Sequence, residues 1–279
     1  MSHPVAPRLA QAFAAPRAQR AALIPYVTGG HPDVATSHRL IETLIAAGAD
    51  IVELGIPFSD PIADGPVVQR STHEALLAGV TTDDVLRLAA AHSARVPIVL
   101  LTYLNPVLAY GPELFFATAH AAGVEALVIP DLPLDEALSG GDGLAIASGG
   151  LMALAAAHGV GLVPMATPTS ADARLDLVAK AATGFVYCVA VTGVTGARQD
   201  VGADLPGLIG RLRARTAAPL AVGFGISTPE QAAHVADLAD GVIIGSALID
   251  IVSRAADTDA ACAAVAKLLR AASVAIRRG

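Results

Sequence analysis

Short apolar runs alternate with longer amphipathic stretches along almost the whole chain. The runs near 22–27, 50–55, 97–102, 125–130, 160–164, 184–189, 218–223 and 241–245 are five or six residues long, which predicts eight buried strands. Between them, apolar positions recur at helical spacing over Val34 to Ala47, Thr82 to Ala94, Pro112 to Ala122, Leu144 to His158, Ala171 to Ala182, Leu205 to Arg215 and Thr228 to Leu238. Ser246 to Arg254 and Asp259 to Arg277 predict helices after the last strand, and Leu9 to Arg20 predicts a capping helix before the first. Repeated strand–helix units imply a parallel sheet, and eight of them favour an α/β fold of the closed (β/α)8 TIM barrel type with an extra N-terminal helix; an open doubly wound sheet is the alternative. Ser139 to Gly150 is the one low-complexity stretch and reads as a Gly-rich surface loop. No linker divides the chain, so residues 1–279 read as a single barrel domain.

One strand breaks the apolar pattern. Over Asp50 to Gly55, period-two alternation puts Ile51, Glu53 and Gly55 on one face and Val52 and Leu54 on the other. Glu53 therefore stands where an apolar residue is expected. A buried carboxylate is costly unless paired or protonated, so it needs a structural partner or a chemical role. Asp64 follows in the same fifteen-residue stretch, VELGIPFSDPIADGP, so two carboxylates flank the mouth of one strand. The alternative for Asp64 is a turn residue before Gly65, and Asp60 reads as ordering the Ser59-Asp60-Pro61 turn.

In such a barrel, chemistry belongs at the carboxyl ends of the strands. Those positions hold Thr28-Gly29-Gly30, Tyr103-Leu104-Asn105-Pro106, Asp131, Thr192 to Gly196, Gly223-Phe224-Gly225 and Gly245-Ser246. A glycine turn leading into a helix converges backbone N–H groups on one point, which suits an anion; any one glycine pair alone is equally a tight turn. Three such turns after strands six, seven and eight favour a phosphate. Gly223-Phe224-Gly225 lacks the third glycine of a dinucleotide fingerprint, since Thr228 stands there.

Composition narrows the chemistry. Hydrophobic residues make up 54% and charged residues 15%, which fits a large core. The mean hydropathy of +0.59 is inflated by alanine, and every long apolar stretch is interrupted short of the roughly 20 residues that span a bilayer, so no membrane segment is expected. A formal net charge of −7 and no basic block beyond Arg277-Arg278 argue against nucleic acid. The lysines, Lys180 and Lys267, both fall on predicted helices away from the strand mouths, which disfavours Schiff-base chemistry and leaves phosphate to backbone amides. His31, His38 and His73 show no ligand spacing, and no metal is expected. Cys188 and Cys262 read as buried small hydrophobes in a reducing compartment. Three arginines precede the first acidic residue, a transit-peptide bias, yet a core strand already starts near Ala22, and a cytoplasmic protein is expected.

VELGIPFSDPIADGP, together with LIPYVTGGHP, LLTYLNPV, IPDLPLDE, VTGVTG, VGFGIS and IIGSAL in this order, resembles the tryptophan synthase alpha chain family over nearly the whole chain. The resemblance implies a barrel that cleaves indole-3-glycerol phosphate to indole and glyceraldehyde 3-phosphate. It also implies a beta chain partner in an α2β2 heterotetramer, with pyridoxal phosphate in the beta chain and no cofactor in this one. By position it puts the catalytic carboxylates on Glu53 and Asp64 and the phosphate turns on Gly196, Gly223, Gly225, Gly245 and Ser246. The substrate pocket falls on Tyr26, Tyr103, Tyr187 and Thr195. A tyrosine in such a position is more often a packed core residue with its hydroxyl satisfied than a substrate contact. Extra length at Ser139 to Gly150 and the apolar Val191 depart from the expected pattern. A free-standing lyase and a non-catalytic phosphate-binding activating subunit are the alternatives.

Overall fold

The structure, a computed structural model, describes residues 6–14, 19–139, 150–190, 204–223 and 225–277. Among the described residues there are nine parallel strands: β1 (Ala22–Thr28), β2 (Val52–Gly55), β3 (Ile98–Leu101), β4 (Val124–Val128), β5 (Gly161–Val163), β6 (Met165–Ala166), β7 (Val186–Val189), β8 (Leu220–Gly223) and β9 (Gly241–Ile244). Their order is β5-β4-β3-β2-β1-β9-β8-β7-β6. The two outermost strands belong to one extended segment that begins in the predicted fifth strand, 160–164, and runs two residues past it, interrupted at Pro164. β5 pairs with β4 through Ala126↔Gly161 to Val128↔Val163, and β6 pairs with β7 through Met165↔Tyr187 and Ala166↔Cys188. Proline has no N–H to give a ladder, but its carbonyl accepts from the Tyr187 amide at 3.0 Å, so the segment changes partner there and the ring closes. The eight-unit barrel is therefore present, with its fifth wall made in two pieces.

Each strand serves two cores. Leu23, Val27, Val52, Leu54, Ile98, Leu100, Val222 and Val242 face outward against the helices. Ile24, Tyr26, Ile51, Val99, Val128, Val163, Tyr187 and Ile243 face the barrel interior. The alternation expected for β2 holds, with Ile51 inside and Val52 and Leu54 outside.

Among the described residues the N-terminal helix spans Pro7–Ala14, against the Leu9 to Arg20 expected from periodicity. Arg20 is not helical: it forms an antiparallel bridge with Arg277, and its guanidinium pairs with Asp50 at 2.5 and 2.7 Å. That carboxylate also accepts from the Leu23 amide at 2.7 Å, so the residue that ends the helix instead fixes the start of β1. Ala6, Leu9 and Phe13 close the amino end of the barrel, with the Phe13 and Phe185 rings 5.4 Å apart.

Helices Val34–Ala46, Thr82–His92, Pro112–Ala121, Asp172–Ala181, Leu205–Arg213, Pro229–Leu238, Ser246–Arg254 and Thr258–Ala275 match the expected spans within a few residues at each end. Gly150–Ala157 covers the part of Leu144 to His158 that is described. Capping sets several boundaries. Thr228 and Gln231 form a reciprocal capping box ahead of Pro229–Leu238, and Asp33 caps Val34–Ala46 by accepting from the Thr36 amide at 2.8 Å. Three helices have no counterpart among the expected elements: Pro66–Leu77, Leu104–Tyr110 and Leu134–Ser139.

Candidate active site

Glu53 lies inside the carboxyl end of the barrel. It is 1% exposed, it stands in register with Tyr26 on β1, and neither carboxylate oxygen has a hydrogen-bond partner. Burial, and then the nearby charge of Asp64, push its pKa up to about 8. A carboxyl group with no hydrogen bond to either oxygen is cheaper to bury protonated than ionised, so Glu53 favours its protonated form.

Asp64 reaches the same interior from the loop after β2. Its side chain is buried, and burial raises its pKa to about 6 against the opposing effect of a hydrogen bond from Tyr103. At neutral pH it is ionised. Tyr103 organises this loop, for its hydroxyl oxygen also accepts from the Ala63 amide at 3.0 Å and its ring lies 5.4 Å from Phe58. Within the loop, the Asp64 amide donates to the Pro61 carbonyl at 3.1 Å and the Gln69 side chain donates to the Asp64 carbonyl at 2.8 Å. The Ser59 hydroxyl binds the Asp60 carboxylate at 2.5 Å, in keeping with a turn role for Asp60.

Tyr26 and Tyr187 complete the wall. Burial lifts both phenols well above their ordinary pKa; Asp64 adds next for Tyr26 and Glu53 for Tyr187. Their placement depends on glycine. A β-carbon on Gly55 would overlap the Tyr26 hydroxyl, and one on Gly223 would overlap that of Tyr187. A β-carbon on Gly245 would come within 3.1 Å of the Tyr26 ring. Gly223 and Gly245 thus make room for the tyrosines as well as ending strands.

The structure brings together Glu53, Asp64, Tyr26, Tyr103 and Tyr187. Two strands round from Glu53, Gly245 is the N-cap of Ser246–Arg254, and Ser246 is exposed at its first turn. A glycine cap offers no side chain to occupy the first-turn amides, which leaves that helix end open to an anion. Gly225 adopts φ +85°, a conformation natural to glycine. Thr195, Gly196 and Val191 lie outside the described residues, as does most of Ser139 to Gly150. Gly29 and Gly30 serve packing, since β-carbons there would collide with Val85 and Val80.

Sequence reasoning missed the helix Pro66–Leu77 and its buried Ser71. The Thr28 hydroxyl lies 2.7 Å from that of Ser71, joining β1 to the helix that follows Asp64. Pro66 at the first helical position and Gly79 just past the end, at φ +81°, were available as start and stop signals.

Cys188 is buried in the outer core and Cys262 half-buried, both free thiols. Among the described residues, no group of three or more His, Cys, Asp or Glu side chains is arranged to hold a metal ion. No described helix is long and apolar enough to cross a membrane.

Comparison with known proteins adds a second line of evidence. The sequence profile of the family described as tryptophan synthase alpha chain matches residues 13–276. The tryptophan synthase alpha chain of Carboxydothermus hydrogenoformans is 44% identical over 248 residues, covering 88% of this chain and 89% of that one. That of Chloroflexus aurantiacus is 45% identical over 263 residues, covering 93% and 95%. Among solved structures, tryptophan synthase from Mycobacterium tuberculosis superposes with a TM-score of 0.85 at 37% identity, over 98% of this chain and 99% of that one. The alpha chain from Legionella pneumophila gives 0.83 at 34% identity, over 96% and 97%. With a carboxylate-bearing barrel mouth and matches of this extent, the chain belongs to the tryptophan synthase alpha chain family, lyases of tryptophan biosynthesis.

Proposed function

We propose that Glu53 and Asp64 are the acid–base pair with which this chain carries out its family's reaction, the cleavage of indole-3-glycerol phosphate to indole and glyceraldehyde 3-phosphate. The observation that carries the assignment is the pairing of a protonated Glu53, with both oxygens unpartnered, and an ionised Asp64 in one buried site. Carboxylates whose environments push their pKa values apart are suited to separate acid and charge-stabilising roles.

Glu53 gives its proton to C3 of the indole ring, and the ring nitrogen becomes cationic. Asp64 stabilises that charge at the N–H. The Glu53 carboxylate then takes the proton of the hydroxyl on the carbon bonded to C3. That oxygen becomes the aldehyde of glyceraldehyde 3-phosphate, the carbon–carbon bond breaks, and its electrons return to the ring to give indole. Proton and electron counts balance, and Glu53 ends protonated as it began.

In this reading Tyr26 and Tyr187 wall the indole and Tyr103 orders the Asp64 loop. Thr195 lines the substrate pocket, and the turns at Gly223, Gly225 and Gly245-Ser246, with Gly196, hold the phosphate mainly through backbone N–H groups. The family's alpha chain carries no cofactor, and pyridoxal phosphate belongs to the beta chain. The partner is a beta chain in an α2β2 heterotetramer in the cytoplasm; Ile62, 78% exposed on the Asp64 loop, suits a partner contact close to the reacting groups.

The test is indole release from indole-3-glycerol phosphate by the purified chain, alone and with a beta chain, beside Glu53→Gln. Indole that rises with the partner and vanishes in the variant supports the full reading. Near-normal rates in Glu53→Gln overturn the assignment. Full activity alone, with no complex on size-exclusion chromatography, overturns the partner.

A further inference from the structure

His31 sits in the turn after β1, 4% exposed, between two helices that pack against each other. Its Nε2 is 3.2 Å from the hydroxyl of Ser253, on the helix Ser246–Arg254. Its Nδ1 is 3.4 Å from a carboxylate oxygen of Glu74, on the helix Pro66–Leu77, without the alignment of a hydrogen bond. In the neutral tautomer protonated on Nδ1, the Ser253 hydroxyl donates to Nε2, and Nδ1–H lies beside the Glu74 carboxylate as an electrostatic contact rather than a hydrogen bond. Burial lowers the pKa of the imidazole, against the opposing charges of Glu74 and Asp33, which keeps it in this neutral form.

The two helices have distinct duties at the mouth. Ser253 is seven residues, two turns, from Ser246, so both lie on one face of the helix whose start forms the Gly245-Ser246 turn. Glu74 is three residues from Ser71, and these share the face of the helix that follows Asp64. Thr28 holds Ser71 at 2.7 Å, and the backbone N–H of His31 donates to the Thr28 carbonyl at 3.2 Å. This segment therefore meets the helix behind Asp64 through the Thr28–Ser71 hydrogen bond and the electrostatic approach of His31 to Glu74, and the helix behind Gly245 through Ser253.

We propose that His31 is a positioning residue that joins Ser253 to Glu74 and so fixes the phosphate turn at Gly245-Ser246 relative to Asp64. The inference rests on the site reading proposed above and adds to it how the two sides are held in register. A phosphate ester that orders the Ser246 helix would bias the Asp64 helix toward its working position through this bridge.

The test compares Ser253→Ala, Ser253→Thr, Glu74→Gln and His31→Asn, with Glu53→Gln as control, all with the beta chain present. Affinity for glycerol 3-phosphate is measured beside kcat, KM and Tm. Ser253→Ala is expected to weaken the probe and lower kcat together, each by about 5-fold, with Tm little changed and Ser253→Thr restoring both. His31→Asn combined with Ser253→Ala should cost less than the two separately, because they break one bridge. A Ser253→Ala enzyme with wild-type kcat and probe affinity overturns the proposal, as does a loss confined to Tm. If Glu53→Gln keeps its activity, the site reading fails; if it is dead while the bridge variants are normal, only the bridge fails.

Discussion

The two ends of this barrel are built from the same strands and solve opposite problems. At the amino end, Leu9, Phe13 and Phe185 meet inside a ring of small residues such as Ala22, Ala221 and Gly241, and a β-carbon on Gly241 would press against Phe13 at 2.9 Å. At the carboxyl end the interior holds Glu53, Asp64, Tyr26 and Tyr187, with two carboxylate oxygens left unpartnered. One end removes apolar surface from water. The other keeps polar groups where they are costly, a cost that the catalytic roles proposed for them account for.

The sharpest way to break the comparison is Glu53→Gln. Turnover is expected to fall by at least about 10³-fold, the scale of losing a general acid, as read by indole release. Stability should move the other way with pH. The folded-state pKa of Glu53 is raised from 4.5 to about 8, so its protonated form is favoured by folding. That contribution is fully present below 4.5 and is lost as pH rises through about 8. Urea denaturation should find the wild type losing more stability than Glu53→Gln between these limits, by up to about 5 kcal/mol. Equal pH slopes would mean that Glu53 is not buried protonated.

Phe13→Ala tests the opposite end. It should cost about 3 to 4 kcal/mol in urea denaturation while leaving kcat within about two-fold at temperatures where the protein remains folded. A large fall in kcat with little loss of stability would show that the plug governs the mouth. Gly55→Ala sits between these extremes, since its β-carbon displaces the Tyr26 hydroxyl. About 1 to 3 kcal/mol of stability and a fall in kcat/KM are expected, with Tyr26→Phe/Gly55→Ala recovering part of the stability. The smallest effect is in the pH profile of kcat/KM, which should bend near 6 as Asp64 protonates and near 8 as Glu53 ionises. A flat profile across that window would remove both groups from the rate-determining chemistry.

Most of the barrel was legible because strands buried on both faces read as uninterrupted apolar runs, and Glu53 stood out against that background. The helix Pro66–Leu77 was not, because its buried face is Ser71, Thr72 and Ala75 rather than an apolar stripe. The division of the fifth strand depends on what pairs on either side of Pro164, which neighbours along the chain do not reveal. Glycines were the least transparent. Gly29 and Gly30 stood in line with the other strand-end turns, yet they admit Val85 and Val80, while Gly55 and Gly223 make space for hydroxyls brought from adjacent strands. Which neighbour occupies the space a glycine leaves is a tertiary fact. The end of the N-terminal helix was misplaced for a related reason: Arg20 is drawn to Asp50, thirty residues on, and local periodicity carries no trace of that partner.

The change of partners at Pro164 gives the ring a seam. Two residue pairs hold β6 to β7 and three hold β5 to β4, so one wall of the cylinder is fastened by short, discontinuous stitching. Seen from that seam the molecule is a pair of half-shells, β1 to β5 and β6 to β9, hinged along β1 and β9. Glu53 belongs to the first shell and the turns after β8 and β9 to the second. A molecule grasped by both would act as a clasp, drawing this discontinuous wall together by the same contacts that hold it against Glu53.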